Sequence, residues 1–170
     1  MIPLHPRIVH FPIALLLAAT AFAILAIIFK GKRDLFKELT IWNLTLGIIG
    51  AIFAIASGLS EEGSLVHNET IHSIMETHKL LGFIFFGIYI LLLLWLVVRK
   101  SKMKNFEFTG IVVLLVLSSG ILSYSAHLGG KMVYEHGAGV SPMEKILKSK
   151  DHNHDHNHND EHQEHDEHKH

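Results

Sequence analysis

Apolar residues dominate four stretches of the chain, Phe11 to Phe29, Leu39 to Leu59, Leu80 to Val98 and Phe108 to Ala126, and none of them contains a charged side chain. Each is close to the roughly 20 residues that a helix rising about 1.5 Å per residue needs to cross a hydrocarbon layer of about 30 Å. Lipid cannot satisfy backbone N–H and C=O groups, so a spanning segment must be a helix or part of a closed barrel, and four runs are too few and too long for barrel strands. The pattern predicts an all-α integral membrane protein, a bundle of four transmembrane helices in contact with the lipid bilayer. A hydrophobic content of 49% and a mean hydropathy of +0.31 agree with that reading.

The connections carry opposite charge. Lys30, Lys32, Arg33 and Lys37 fill the first and Arg99, Lys100, Lys102 and Lys104 the third, whereas the second, from Ser60 to Thr77, carries Glu61, Glu62, Glu69 and Glu76 with no lysine or arginine. Positive loops stay cytoplasmic, which puts the second loop and both termini on the outer side. A cleaved signal peptide is the competing account of the first run. Its start holds Arg7 alone, however, and Lys30-Gly31-Lys32-Arg33 follows it in place of a small-residue cleavage site, so the run reads as a retained span. The expected location is a bacterial inner membrane, with both termini periplasmic.

On this topology every histidine lies on the outer side. His5 and His10 precede the first span, His67, His72 and His78 lie in the second loop, His127 and His136 follow the fourth span, and the rest are in the C-terminal tail. Cysteine is absent, which excludes disulfides, thiolate zinc sites, iron–sulfur clusters and covalent haem attachment. Phosphate-loop, nucleophile-elbow and dinucleotide motifs are also missing, and nothing points to nucleic acid. His67 and His72 stand five apart, not the four that a zinc-protease helix requires.

Two constellations remain near the membrane. The first is a rim set in which His10 opens the first span, His78 opens the third and His127 closes the fourth, at similar depth. Small residues such as Gly82, Gly120 and Ala14 share their faces. Two neutral imidazoles from different helices can take the axial positions of a b-type haem, with Arg7, Lys79 and Lys131 as cations for its propionates and His5 and His136 as further candidates. A simple metal ion is the second reading, and satisfaction of helix ends the third. The second span shows why small residues alone mark nothing, since Gly50, Ala54 and Gly58 form such a face without a histidine. The second constellation is Glu69, His72 and Glu76, which share one face if helical and could hold a metal with help from another segment such as His5 or His136; the bland alternative is a solvated face opposite Ile71, Ile74 and Met75.

The segments Leu4-His5-Pro6-Arg7-Ile8-Val9-His10-Phe11-Pro12-Ile13 and Gly129-Gly130-Lys131-Met132-Val133-Tyr134-Glu135-His136-Gly137-Ala138-Gly139-Val140 resemble the two signature segments of the bacterial membrane family designated DUF2231. The resemblance covers roughly residues 1 to 140 and implies a four-helix membrane protein of unassigned activity. It also implies relatives joined to Rieske-type iron–sulfur domains, and hence an electron-transfer setting. This chain has no such module, so a redox partner would be a separate protein or a quinone. In physical terms, Pro6 suits a first helical turn, and Pro12 either kinks a helix begun at Pro6 or starts the span itself. Gly129-Gly130 is expected to end the fourth helix, and Gly137 with Gly139 to turn the backbone around His136.

Beyond a linker over 141–150, the tail 151–170 alternates His152, His154, His156 and His158 with Asn and Asp, then sets His162, His165, His168 and His170 among acids. With no apolar residue to build a core it is expected to be disordered. Imidazoles on a flexible strand chelate Zn²⁺, Ni²⁺ or Cu²⁺ without imposing one geometry. Histidine titrates near pH 6.5, so protons compete with metal below about pH 6. A peptide covering Asp151 to His170 should therefore bind Zn²⁺ or Cu²⁺ at pH 7.5 by isothermal titration and bind much more weakly at pH 5.5; equal affinity at both would refute imidazole ligation.

Three function classes follow: a haem-bearing electron-transfer subunit, a metal-handling membrane protein, and a scaffold that docks another membrane protein through small-residue faces. A stand-alone enzyme is the weakest reading, because no nucleophile–base pair is visible. The spans also lack the mid-depth charges that ion pathways use.

Overall fold

The computed structural model describes residues 4–62, 69–99 and 102–137; the linker over 141–150, the tail over 151–170, His67 and Gly139 lie outside the described residues. Its elements are α1 (His5–Ile8), α2 (His10–Ile28), a 3₁₀ turn (Lys30–Lys32), α3 (Arg33–Glu62), α4 (Glu69–Arg99) and α5 (Asn105–Tyr134). Helices α1 and α2 form one bent rod. Pro12 has no N–H for the Ile8 carbonyl and its ring crowds that oxygen, so the ladder breaks at Val9 while the backbone there stays helical, with φ −61° and ψ −28°. Four helical segments are long and apolar enough to cross a membrane: His5–Ile28, Lys30–Glu62, Thr70–Arg99 and Asn105–Tyr134.

The distribution of side chains is that of a bundle in lipid. Large apolar residues such as Trp42, Phe53, Leu91 and Val98 face outward, an arrangement that water would penalise heavily. Between α2 and α3 the contact is made instead by small residues, with Ala19, Ala23 and Ala26 fully buried. A Cβ on Gly47 would lie 2.7 Å from Leu16 Cδ2, and one on Gly50 would lie 3.2 Å from Pro12 Cβ. Close approach of backbones is what drives association where there is no water to expel.

The two hairpins, α1–α2–α3 and α4–α5, repeat one design. Buried Leu44, Gly47, Ala51 and Ala54 of α3 have buried counterparts at constant spacing in Leu115, Ser118, Leu122 and Ser125 of α5. Likewise Leu16, Ala19 and Ala23 of α2 correspond to Tyr89, Leu92 and Leu96 of α4. The same spacing that relates α2 to α4 carries His5 onto His78. A polar cluster breaks this symmetry at mid-depth. Thr20 Oγ1 lies 2.8 Å from Ser119 Oγ, and Tyr89 Oη lies 3.1 Å from the same Ser119 oxygen, which links α2, α4 and α5 in the buried interior.

The helices run past the apolar stretches that announce them. Helix α4 begins at Glu69, well inside the segment expected to be loop, because Ile71 and Met75 are buried against the bundle. Helix α5 passes straight through Gly129-Gly130 and stops only near Gly137, the one described residue with positive φ, at 65°. The expected terminator therefore lies within the helix, and its first glycine serves a side-chain contact instead.

Candidate functional site

The histidine end of the bundle brings together His5 and His78. Their ring centres are 6.3 Å apart and their planes stand at 82°. His5 Nδ1 lies 2.8 Å from the Ala54 carbonyl oxygen and 3.2 Å from Ser57 Oγ. His78 Nδ1 lies 2.8 Å from the Ser125 carbonyl oxygen and 3.2 Å from Ser125 Oγ. Each imidazole thus meets the facing helix in the same way.

A carbonyl oxygen can only accept, so Nδ1 carries the proton in both rings and Nε2 of the neutral imidazole keeps its lone pair. Among the described residues neither Nε2 makes a hydrogen bond. This is how metal-ligating histidines are usually set: one nitrogen donates to a carbonyl that fixes tautomer and ring orientation, and the other is presented to the metal.

Glycine is what lets each ring lie flat on its neighbour. A Cβ on Gly58 would stand 3.1 Å from His5 Cε1 and Nδ1, and one on Gly129 would stand 3.3 Å from His78 Cε1. The face Gly50, Ala54 and Gly58, which by sequence carries no histidine, is therefore the surface that receives Pro12 and His5 from the preceding helix. Glu61 completes the support. Its Oε1 accepts from the backbone N–H of Leu4 and, at 3.0 Å, from that of His5, so a carboxylate sits at the N-terminus of α1 where free amides and the helix dipole favour it.

The other candidates are placed differently. His10 and His127 are exposed on their helices and do not join His78. Lys79 is engaged by Glu62 at 2.8 Å and Glu76 at 2.7 Å, which ties the end of α3 to α4. Glu76 is thereby committed to an ammonium group, His72 is exposed, and the side chain of Glu69 lies outside the described residues. Arg7 is exposed, and Lys131 stands 3.8 Å from Glu135. His136 is half-buried, and its Nε2 has no hydrogen-bond partner among the described residues. Among those residues no three His, Asp or Glu side chains converge as a metal cage. The tail histidines His152, His154, His156, His158, His162, His165, His168 and His170 all lie outside the described residues.

Sequence reasoning missed Ser57, Gly58, Glu61 and Ser125. The usable signal was the histidine-to-histidine spacing, which matches the register of the two hairpins.

The model of a family described as "Predicted membrane protein (DUF2231)" covers residues 1–142. No curated protein and no solved structure matches the chain.

Proposed function

The chain belongs to the DUF2231 family of predicted membrane proteins, and from the histidine end of its bundle we propose that it is a membrane electron carrier holding a b-type haem between His5 and His78. The observation that carries this reading is the matched pair of imidazoles, each with Nδ1 fixed on a helix carbonyl and Nε2 left for a metal. The two ring centres lie 6.3 Å apart, so both imidazoles share one end of the bundle.

Ligand number favours haem over a bare ion. A structural zinc ion takes four protein ligands, and the described residues offer no group of even three. A porphyrin brings its own four nitrogens and asks the protein for two. Here His5 and His78 would hold the haem, with Ala54 and Ser125 orienting them through their carbonyls and Gly58 and Gly129 giving the rings room, and the group would supply reversible one-electron transfer. Arg7 remains the cation for anionic substituents, while Lys79 is already paired with Glu62 and Glu76 and Lys131 with Glu135. A quinone or a separate redox protein would be the electron partner. The Rieske-linked relatives implied by the sequence resemblance point the same way.

The test is a visible spectrum of protein purified from haem-supplied cells. A Soret band with the sharp reduced bands of bis-histidine ligation is expected. His5→Ala and His78→Ala should each remove it, while His10→Ala, His127→Ala and deletion of 151–170 should leave it. A colourless wild-type protein after haem reconstitution would overturn the assignment. Tail-dependent zinc or copper in such a colourless protein would favour metal handling, the second reading, which rests on the alternating histidines of residues 151–170.

A further inference from the structure

At the opposite end of the bundle the turn between α2 and α3 builds a site with two chemistries. A groove of about 460 Å³ is lined by Ile28, Phe29, Lys30, Gly31, Lys32 and Phe36. Its apolar members are where the first span leaves the hydrocarbon, and its two lysines are in the 3₁₀ turn just ahead of the 30-residue helix α3.

The charges here are poorly matched to their surroundings. Amides at a helix N-terminus favour an anion, yet Lys30, Lys32, Arg33 and Lys37 gather at this one. Arg33 and Lys37 are partly accommodated, with the guanidinium carbon 5.3 Å and the ammonium nitrogen 4.9 Å from the centre of the Phe108 ring. Arg33 also donates to Asn105 Oδ1, but its Nε is buried with no acceptor among the described residues. Asp34 and Glu38 are the nearby carboxylates on α3, and both are exposed. Lys79, Arg99 and Lys131 all have a carboxylate partner; among the described residues Lys30 and Lys32 have none. A Cβ on Gly31 would meet nothing within 4 Å, so the space over the turn is open.

We propose that this groove binds an anionic phospholipid, with the headgroup phosphate on Lys30 and Lys32 and an acyl chain along Ile28, Phe29 and Phe36. Basic residues where a span leaves the bilayer attract anionic lipid in any case, and what distinguishes this corner is an apolar groove beside two unpaired ammonium groups. The proposal is independent of the histidine site.

Native mass spectrometry of the full chain in detergent, titrated with phosphatidylglycerol or phosphatidylcholine, tests it. Wild-type protein should hold one phosphatidylglycerol roughly tenfold more tightly than phosphatidylcholine. The pair Lys30→Gln with Lys32→Gln should abolish that preference, while Lys102→Gln with Lys104→Gln, an equal change of charge, should keep it; the two single changes Lys30→Gln and Lys32→Gln serve if the double variant does not fold. Equal loss in both double variants, no preference in the wild type, or displacement of the lipid by millimolar inorganic phosphate would each overturn the proposal, the last by showing a free-anion site.

Discussion

Alanine in place of Tyr89 is expected to destabilise the bundle by about 3–5 kcal/mol, the range for deleting a large buried aromatic. Tyr89 is fully buried, and its ring stands 6.2 Å from that of Phe85 in an edge-on contact. Removing it opens a cavity between the two hairpins and strips Ser119 of a partner. The cavity and the lost hydrogen bond can be separated. Tyr89→Phe keeps the ring and deletes the hydroxyl, and hydrogen bonds between membrane helices contribute about 0.6 kcal/mol on average and up to about 1.7 kcal/mol. Steric trapping in micelles reads both values. A Phe variant as unstable as the Ala variant would mean that the Thr20–Ser119–Tyr89 cluster, and not the packing of the ring, holds the hairpins together.

Depth was legible in the sequence and rotation was not. The four apolar runs give four spans because a bilayer demands length and hydrophobicity, and both can be counted. Helix ends were less visible: Arg33 to Glu38 and Glu69 to Lys79 are polar and lie beyond the hydrocarbon run, yet both segments are helical because the spans propagate into them. The histidine pair depended on which way each helix faces. His10 follows His5 by five residues, about 140° further around a helix turning roughly 100° per residue, so the residue within the bilayer rim faces out and the one before it faces in. The same geometry separates His127 from Ser125, which supplies the carbonyl to His78, by about 160°. Gly129 misled for a related reason. Glycine permits both a helix end and a close approach, and only the His78 ring beside it distinguishes the two.

Leucine at Gly58 or Gly129 is expected to remove the spectrum of the proposed haem as completely as loss of the facing imidazole, although both histidines remain. The Cβ contacts of 3.1 and 3.3 Å fall on the ring itself, next to the nitrogen that is anchored. A larger side chain must push the ring off its carbonyl, and Nε2 then loses the orientation that a metal bond requires. Gly87→Leu supplies the control on α4, since a Cβ at this exposed position meets nothing within 4 Å. This control should keep the spectrum and the helix content. Because Gly58 relates to Gly129 as Ala54 does to Ser125, the two site variants should fail to the same extent. Loss in one alone would mean that a single imidazole, with some other ligand, holds the metal; loss in neither would separate the ring-on-glycine contact from any cofactor at this end of the bundle.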